Sequence, residues 1–168
     1  MAVAPSQSET GSVARAYFEA IAAQDLDAMT EFYAVGGTGE IHGLVELTAP
    51  HSYRVWFANL FAAFPDFRFE ILDVVAEGEV AAVRWHASGT FSGDVRFEGM
   101  DPNDARVDLT GCDVLRIRGG KIHRNDAYMN GAQMAQQLGA LPPTGSLPER
   151  AMLAALNLRT RLARALGR

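Results

Sequence analysis

The spacing of apolar residues changes from a helical period to a strand period near residue 66. Before that point, apolar side chains recur at intervals of three or four over residues 13–33, which predicts two amphipathic helices, the second capped by Asp25. Thr48, followed by Pro50, is predicted to begin a third helix that extends to residue 64. The residues expected to share one face of this third helix are Val55, Trp56, Asn59, Leu60 and Ala63.

After residue 66, apolar and polar residues alternate, as they do in half-buried strands. The segments with this alternation are 67–79, 80–93, 105–117 and 121–130. Turn residues separate them at Glu77-Gly78, in the polar loop 93–104 and at Gly119-Gly120, and a short helix is predicted over 131–141. Helices followed by antiparallel strands predict an α+β fold, with the helices on one side of a curved sheet.

The C-terminal part of the chain has a different pattern. The segment "PPTGSLP" is typical of a linker, and Ser146 with Glu149 forms a capping box that opens a last helix. The apolar residues of this helix include Met152, Leu156, Leu162 and Leu166. We therefore predict one domain over 1–142, followed by a linker and an amphipathic helix over 143–168. This helix is expected to pack on its own domain or on a dimer partner.

Composition narrows the class of protein. Of the 168 residues, 48% are apolar and 21% are charged, which is typical of a globular domain with a hydrophobic core. The sequence has no apolar run long enough for a transmembrane helix, so no membrane span is expected. The first residues lack the features of a secretory signal, and Cys112 is the only cysteine. We therefore expect a cytoplasmic protein without disulfides.

The net charge of −5 is unevenly distributed along the chain. Residues 148–168 contain five arginines and one glutamate, a local charge of +4, so the rest of the chain carries −9. This acidic body argues against nucleic-acid binding. The four histidines lack the spacing of metal ligands, and no phosphate-binding or dinucleotide-binding motif is present. The sequence therefore predicts neither a metal nor a cofactor.

Two segments carry a resemblance to a known family. They are "AAFPDFRFEILDVVAEGEVAAVRWHASGTFSG" and "VDLTGCDVLRIRGGKIHRNDAYMN". Their motifs and order resemble those of the nuclear transport factor 2-like superfamily, and within it the SnoaL-like polyketide cyclases, over about residues 12–142. The resemblance implies a conical barrel, formed by a curved, mainly antiparallel sheet wrapped by N-terminal helices. The C-terminal helical extension lies outside the resemblance.

The ketosteroid isomerases of this superfamily are similar at two further positions. Tyr17 stands eight residues before Asp25, and Asp113 directly precedes "VLRI", as a tyrosine and an acid do in those enzymes. The resemblance implies that Tyr17 and Asp113 form an oxyanion hole. The position of the general base falls on His42, with Glu40 on the same strand face.

Asp113 is also singled out by its own strand. It shares a face with Leu115 and Ile117, and burial among apolar side chains would raise the pKa of its carboxyl group. A neutral Asp113 could then donate a hydrogen bond to a developing oxyanion. The alternative is that Asp113 pairs with an arginine, for which Arg84 is the candidate.

Two other branches of the superfamily match less well. The SnoaL-like cyclases commonly place an acid or a histidine on the last strand, where this chain has Asn125. The limonene epoxide hydrolases use an Arg-x-Asp pair, which corresponds to Arg84 and His86, and a later acid, which corresponds to Ala127.

These residues predict a cofactor-independent isomerase or cyclase that acts on a small apolar carbonyl compound. His42 or His86 would remove a proton next to the carbonyl group, and Tyr17 and Asp113 would stabilise the resulting enolate. The residues expected to contact the substrate are Asn125, Arg84, Trp56, Phe61 and Met129. A non-catalytic binding protein for a hydrophobic small molecule and an epoxide-opening enzyme of the same fold are the alternatives, and a homodimer is expected.

Overall fold

The computed structural model describes residues 9–167; residues 1–8 and Arg168, the last arginine of the basic C-terminal segment, lie outside them. The elements in chain order are α1 (Glu9–Ala22), α2 (Leu26–Glu31), β1 (Tyr33–Ile41), β2 (Val45–Thr48), α3 (His51–Ala63), β3 (Arg68–Glu77), β4 (Val80–Thr90), β5 (Arg106–Arg118), β6 (Lys121–Met129), α4 (Gly131–Gln137) and α5 (Leu147–Ala165). The α+β class predicted from the change of period is confirmed.

The helical part follows the prediction except at two boundaries. Asp25 caps α2, and its side chain accepts a hydrogen bond from a backbone N–H of the first turn at 3.0 Å. Tyr33 was predicted to continue this helix, but it begins β1 because it pairs with Ile122 of β6. The third helix begins at His51 with Pro50 as its N-cap residue, three positions later than the predicted start at Thr48.

The buried face of α3 matches the prediction only in part. Ala63 is buried and Trp56 and Leu60 pack against the core as predicted, whereas Val55 is 55% exposed. The most buried side chains are shifted to Tyr53 and Phe57. Tyr53 and Phe57 are four residues apart and therefore lie one above the other on the same side of the helix. This shift of the buried face turns the Tyr53 side chain towards the sheet.

The six strands form one curved sheet in the order β2-β1-β6-β5-β4-β3. Only the β1–β6 pair is parallel among the strand pairs of residues 9–167. The strands β2 and β3 form the two edges of this curved, mainly antiparallel sheet, which is not closed. Helix α1 packs against β3, and the core lies between the helices and the inner face of the sheet.

The alternation of side chains along β5 places Asp113 in the core. On this strand Val107, Leu109, Leu115 and Ile117 are buried, and Asp113 stands in the same row. Neighbouring residues point to opposite faces of a sheet, so every second residue of β5 faces the helices. The predicted inward orientation of Asp113 is confirmed.

The last helix stands apart from the body. Its N-terminus is capped as predicted, because the backbone N–H of Glu149 donates to Oγ of Ser146 at 3.2 Å. From Arg150 to Ala165 every residue is exposed, so the expectation that α5 packs on its own domain is wrong. Packing on a dimer partner and the domain boundary after residue 142 stay predictions. Within residues 9–167, none of the helices is long and apolar enough to span a membrane.

Candidate active site

The inner face of the sheet and the helices α1 and α3 enclose a cavity of about 120 Å³. Most of its walls are apolar, and the aromatic side chains among them are Phe18, Tyr53, Trp56, Phe57, Phe64, Phe67, Phe69, Trp85 and Phe97. Polar side chains are few in this described lining: Glu40, Tyr53, Ser88, Asp113 and Asn125. A mostly apolar cavity with a few convergent polar groups is the usual form of a small-molecule site.

Asp113 is held on both sides by hydrogen bonds from the neighbouring strands. Its Oδ1 accepts a hydrogen bond from Nε1 of Trp85 on β4, and its Oδ2 accepts one from Nδ2 of Asn125 on β6, both at 2.7 Å. The residues directly opposite Asp113 are Val83 and Ala127, so Trp85 stands two residues after its strand's opposite residue and Asn125 two residues before. Such diagonal neighbours share a face and are within reach of long side chains. The carboxylate is therefore fixed in orientation.

Two glycines make room for this arrangement. Gly111 lies directly opposite Trp85, and a Cβ at that position would stand 2.2 Å from Cζ2 of the indole ring. Gly39 lies under Tyr53, and a Cβ there would stand 1.6 Å from the phenol oxygen. The absence of a side chain lets both rings lie directly against the sheet.

The surroundings of Asp113 raise the pKa of its carboxyl group to about 6. Burial is the largest cause, because it disfavours the charged form, and the hydrogen bonds from Trp85 and Asn125 oppose it. The carboxylate of Glu40, the other acid of the lining, is paired with Arg124 and His42. Asp113 is thus the lining acid without a cationic partner among the described residues.

Asn125 contributes a second feature. Its side chain is buried, and its Nδ2 donates a hydrogen bond to Asp113. Its Oδ1 has no hydrogen-bond partner within residues 9–167. An unpaired buried acceptor is costly unless a bound molecule or a water supplies a donor. The amide therefore offers a free acceptor beside the carboxylate.

Three tyrosines lie behind and beside the cavity. The hydroxyl of Tyr33 donates to that of Tyr17 at 3.3 Å, and the rings of Tyr33 and Tyr53 are 4.2 Å apart. Burial is the main cause that raises the pKa of all three phenols, so they are neutral donors at physiological pH. Tyr53 lines the cavity, whereas Tyr17 lies outside the lining because its ring is buried against Phe18 and Tyr33. The predicted contact of Tyr17 with a substrate therefore stays a prediction.

Arg84 and His86 lie on the opposite face of β4 from Trp85. Arg84 forms an ion pair with Asp73, and Nε2 of His86 lies 3.0 Å from Oδ1 of Asp108. Consecutive side chains alternate across a sheet, so a buried Trp85 turns both of its neighbours outward. The prediction that these two residues line the pocket is wrong, and Arg84 does not neutralise Asp113.

His42 belongs to a polar cluster that it forms with Glu40, Asp126 and Arg124. Its Nδ1 is 3.1 Å from Oε1 of Glu40, and its Nε2 is 3.4 Å from Oδ1 of Asp126. Arg124 forms ion pairs with both of these carboxylates. His42 is absent from the described lining of the cavity, so the predicted role as the base for a bound ligand has no geometric support.

The same cluster is the place where the described residues could hold a metal ion. Ligand atoms of Glu40, His42 and Asp126 lie within 4.8 Å of one another. Arg124 already bonds to both carboxylates, and its positive charge opposes a cation at this position. The cluster is therefore better described as an ion-pair network.

The remaining predicted contact residues divide into two groups. Trp56 and Met129 line the cavity, as does Asn125, and their contacts with a substrate stay predictions. Phe61 lies outside the lining because its ring packs on Phe57 and Phe67, with centroids 5.9 and 5.5 Å apart.

Comparison with known proteins identifies the family. A model of the SnoaL-like polyketide cyclases matches residues 11–138. The chain belongs to this family. No curated protein matches the sequence of this SnoaL-like chain.

Solved structures share the fold of this SnoaL-like chain. AclR from Streptomyces galilaeus, a proposed hydroxylase, is 21% identical over 97% of this chain and 99% of its own, with a TM-score of 0.69. A proposed SnoaL-like polyketide cyclase from Jannaschia sp. CCS1 is 19% identical over 84% of this chain and 99% of its own, with a TM-score of 0.71. A Catenulispora acidiphila protein with a ketosteroid isomerase-like fold is 18% identical over 78% of this chain and 97% of its own, with a TM-score of 0.65.

Sequence reasoning missed two side chains of the site in this SnoaL-like chain. Trp85 could have been found, since Ala81, Val83 and Trp85 form an apolar row at the period of a strand. Tyr53 gave no comparable signal, because its contact with Gly39 depends on how α3 packs on β1.

Proposed function

We propose that this chain is a cofactor-independent enzyme that transfers a proton on a small apolar carbonyl compound, as an isomerase or a cyclase. The proposal rests on one observation: Asp113 lies in an apolar cavity without a cationic partner, and its pKa is raised to about 6. Membership of the SnoaL-like cyclase family supports a reaction of this type.

Asp113 acts as the general base in this proposal. A base with a pKa near 6 is mostly ionised at neutral pH, yet it is strong enough to accept a proton and weak enough to return it. Oδ of Asp113 takes the proton from the carbon next to the carbonyl group, the electron pair of that C–H bond forms the C=C bond of the enolate, and the C=O π pair moves onto the oxygen. Asp113 thus replaces the two histidines that the sequence suggested.

The resulting enolate needs a hydrogen-bond donor. The neutral hydroxyl of Tyr53 lines the same cavity and is the candidate for this contact. In an isomerase, Asp113 returns the proton to another carbon of the enolate. In a cyclase, the enolate carbon forms a bond to a second carbonyl carbon of the same substrate, and the proton goes to the new alkoxide.

The size of the cavity limits what can lie beside Asp113. Its volume is about 120 Å³. An apolar cavity of about 150 Å³ in another protein accommodates benzene. We therefore expect a single ring of the substrate to occupy the space next to the carboxylate.

Hydrogen–deuterium exchange at carbon tests the proposal. The protein is incubated with monocyclic ketones in deuterated buffer, and loss of the signals of protons next to the carbonyl is followed by NMR. We expect Asp113→Asn to lower the exchange rate by about 10²- to 10⁴-fold, the usual contribution of a general base.

Asp73→Asn is the matched control, because Asp73 is an exposed acid paired with Arg84 on the outer face. It should exchange at the wild-type rate. An Asp113→Asn protein as active as wild type would overturn the proposal. Ketones that bind without any exchange would favour the alternative of a binding protein.

A further inference from the structure

Helix α5 carries a continuous row of apolar side chains that its own body does not cover. Ala155, Leu158, Leu162 and Leu166 follow one another at intervals of three or four and form one shallow apolar surface. The side chains of Leu158 and Leu162 are 58% and 55% exposed. Most of the stability of helices in proteins comes from packing such a face against another element.

Three of the four arginines of α5 lie on the other side of the helix, and the fourth, Arg159, borders the apolar row. Arg164 follows Leu162 by two residues, a rotation of roughly half a turn. Arg150 and Arg161 stand 14 and three residues before Arg164, so they lie on the same side as Arg164. The helix therefore has an apolar side and a basic side.

The linker holds this helix away from the domain that precedes it. Nε2 of Gln136, in α4, donates to the carbonyl oxygen of Pro142 at 3.3 Å and to Oγ1 of Thr144 at 3.0 Å. Pro142 and Pro143 also stiffen the linker, because proline-rich segments are semi-rigid spacers. The first residues of the linker are thus tied to α4.

We propose that α5 is an arm that packs its apolar row on a second copy of this chain. Charge favours this occupant, because residues 148–168 carry +4 and the rest of the chain carries −9. An acidic body of a second copy complements the net positive charge of this helix, including Arg159, which borders the apolar row. With 19 residues α5 is about 28 Å long, enough to reach across a neighbouring domain.

A second copy fits α5 better than a membrane surface does. Helices that lie in the membrane interface use tryptophan, phenylalanine or leucine on their apolar side, and residues 143–168 supply leucine but no aromatic anchor. The likeness to the AclR structure extends over 97% of this chain, so the matched length includes α5. The arm is therefore part of a shared fold. Two copies that each donate an arm would form a closed, symmetric dimer.

Sedimentation velocity of the full chain tests the arm with two matched variants. Leu158→Glu places a charge in the apolar row, and Thr160→Glu places the same charge on the other side of the helix. We expect a wild-type dimer whose dissociation constant rises about 100-fold in Leu158→Glu. Thr160→Glu should stay within about threefold of wild type. Equal dissociation constants for the three proteins would overturn the proposal.

A second measurement shows which copy the arm touches. A spin label is attached to residue 153 in a Cys112→Ser, Leu153→Cys chain. This chain is mixed with copies that carry no spin label and are enriched in ¹⁵N. Line broadening of body amides in the ¹⁵N copies is the expected result. Broadening only when the spin label and ¹⁵N share one chain would overturn the proposal.

Vesicles of phosphatidylglycerol distinguish the membrane as a partner. We expect the wild-type dimer to remain in solution during flotation with these vesicles. A chain that is monomeric at every concentration and floats with the vesicles, but loses flotation in Leu158→Glu, would overturn the proposal in favour of a membrane surface.

Discussion

The two faces of the sheet give two aspartates opposite acidities. Asp113 faces the cavity, where burial is the main influence and raises the pKa of its carboxyl group to about 6. Asp126 faces outward, where a hydrogen bond from Arg124 is the main influence and lowers its pKa below the ordinary value. The partners of Asp113 are neutral, whereas Asp126 has a guanidinium group beside it.

The two environments are only one residue apart on β6. Asn125 points inward and donates to Asp113, and the next residue, Asp126, points outward into the ion-pair cluster. Proximity in sequence therefore says little about shared chemistry on a strand. The face on which a carboxylate lies decides whether it is a candidate base or part of a salt bridge.

Of the substitutions that test this difference between the faces, Asp113→Asn should change the free energy of unfolding most. The surroundings in the folded chain raise the pKa of Asp113 from the ordinary value of 3.8 to about 6, so the folded chain holds this proton more tightly. The charged carboxylate therefore destabilises the fold by about 3 kcal/mol above pH 6, and this penalty disappears below pH 4. We expect Asp113→Asn to unfold at higher urea concentration than wild type at pH 8.

The pH dependence is the diagnostic part of that experiment. The difference in free energy of unfolding between Asp113→Asn and wild type should shrink as pH falls from 6 to 4. Asn125 can rotate its amide and offer its free Oδ1 to the new side chain, so the variant keeps its hydrogen bonds. A difference in free energy of unfolding between the two proteins that is the same at pH 4 and pH 8 would contradict a penalty caused by charge.

The second prediction concerns the hydrogen bond from Trp85. Trp85→Phe removes a donor that favours the charged form of Asp113, so the pKa of Asp113 should rise from about 6 by about one further unit. Carbon-13 NMR of labelled aspartate carboxyl groups measures this change directly.

Trp56→Phe is the control for the loss of an indole from the cavity. Trp56 lines the same cavity, but its Nε1 donates to Glu98 at 2.9 Å and not to Asp113. It should leave the pKa of Asp113 unchanged. Equal shifts in the two variants would mean that cavity packing, and not the hydrogen bond, sets this pKa.

The fold was predictable because its signals are local. The helical spacing before residue 66, the alternation after it and the cap at Asp25 each involve residues close in sequence. The same alternation placed Asp113 in line with Leu115 and Ile117. One exception was Tyr33, where pairing with β6 overrode the helical pattern, and another was the start of α3 at His51.

The site was predictable only in part because it joins distant segments. On β4 the polar residues Arg84 and His86 drew attention to the wrong face, although the apolar row ending in Trp85 marked the inner one. The position of Tyr53 over Gly39 depends on the rotation of α3 about its axis. No periodic pattern in the sequence specifies that rotation relative to a strand.

The smallest predicted effect tests whether the two faces are electrically separate. The ion pair of Asp126 with Arg124 is partly exposed, so Asp126→Asn should cost about 0.5–1 kcal/mol of stability at pH 7. Because the pKa of Asp126 is lowered, this contribution exists above its unfolded pKa and is lost as the pH falls through its folded pKa. Urea denaturation at pH 7 and pH 3 measures the difference.

The same variant should also change the pKa of Asp113 on the inner face. The negative charge of Asp126 is a minor cause of the raised pKa of Asp113, so Asp126→Asn should lower the pKa of Asp113 slightly. Carbon-13 NMR would detect the change, and added salt should reduce it where solvent screens the pair. A change as large as that in Trp85→Phe would mean that the outer ion pairs, and not burial on the inner face, control the acidity of the candidate base.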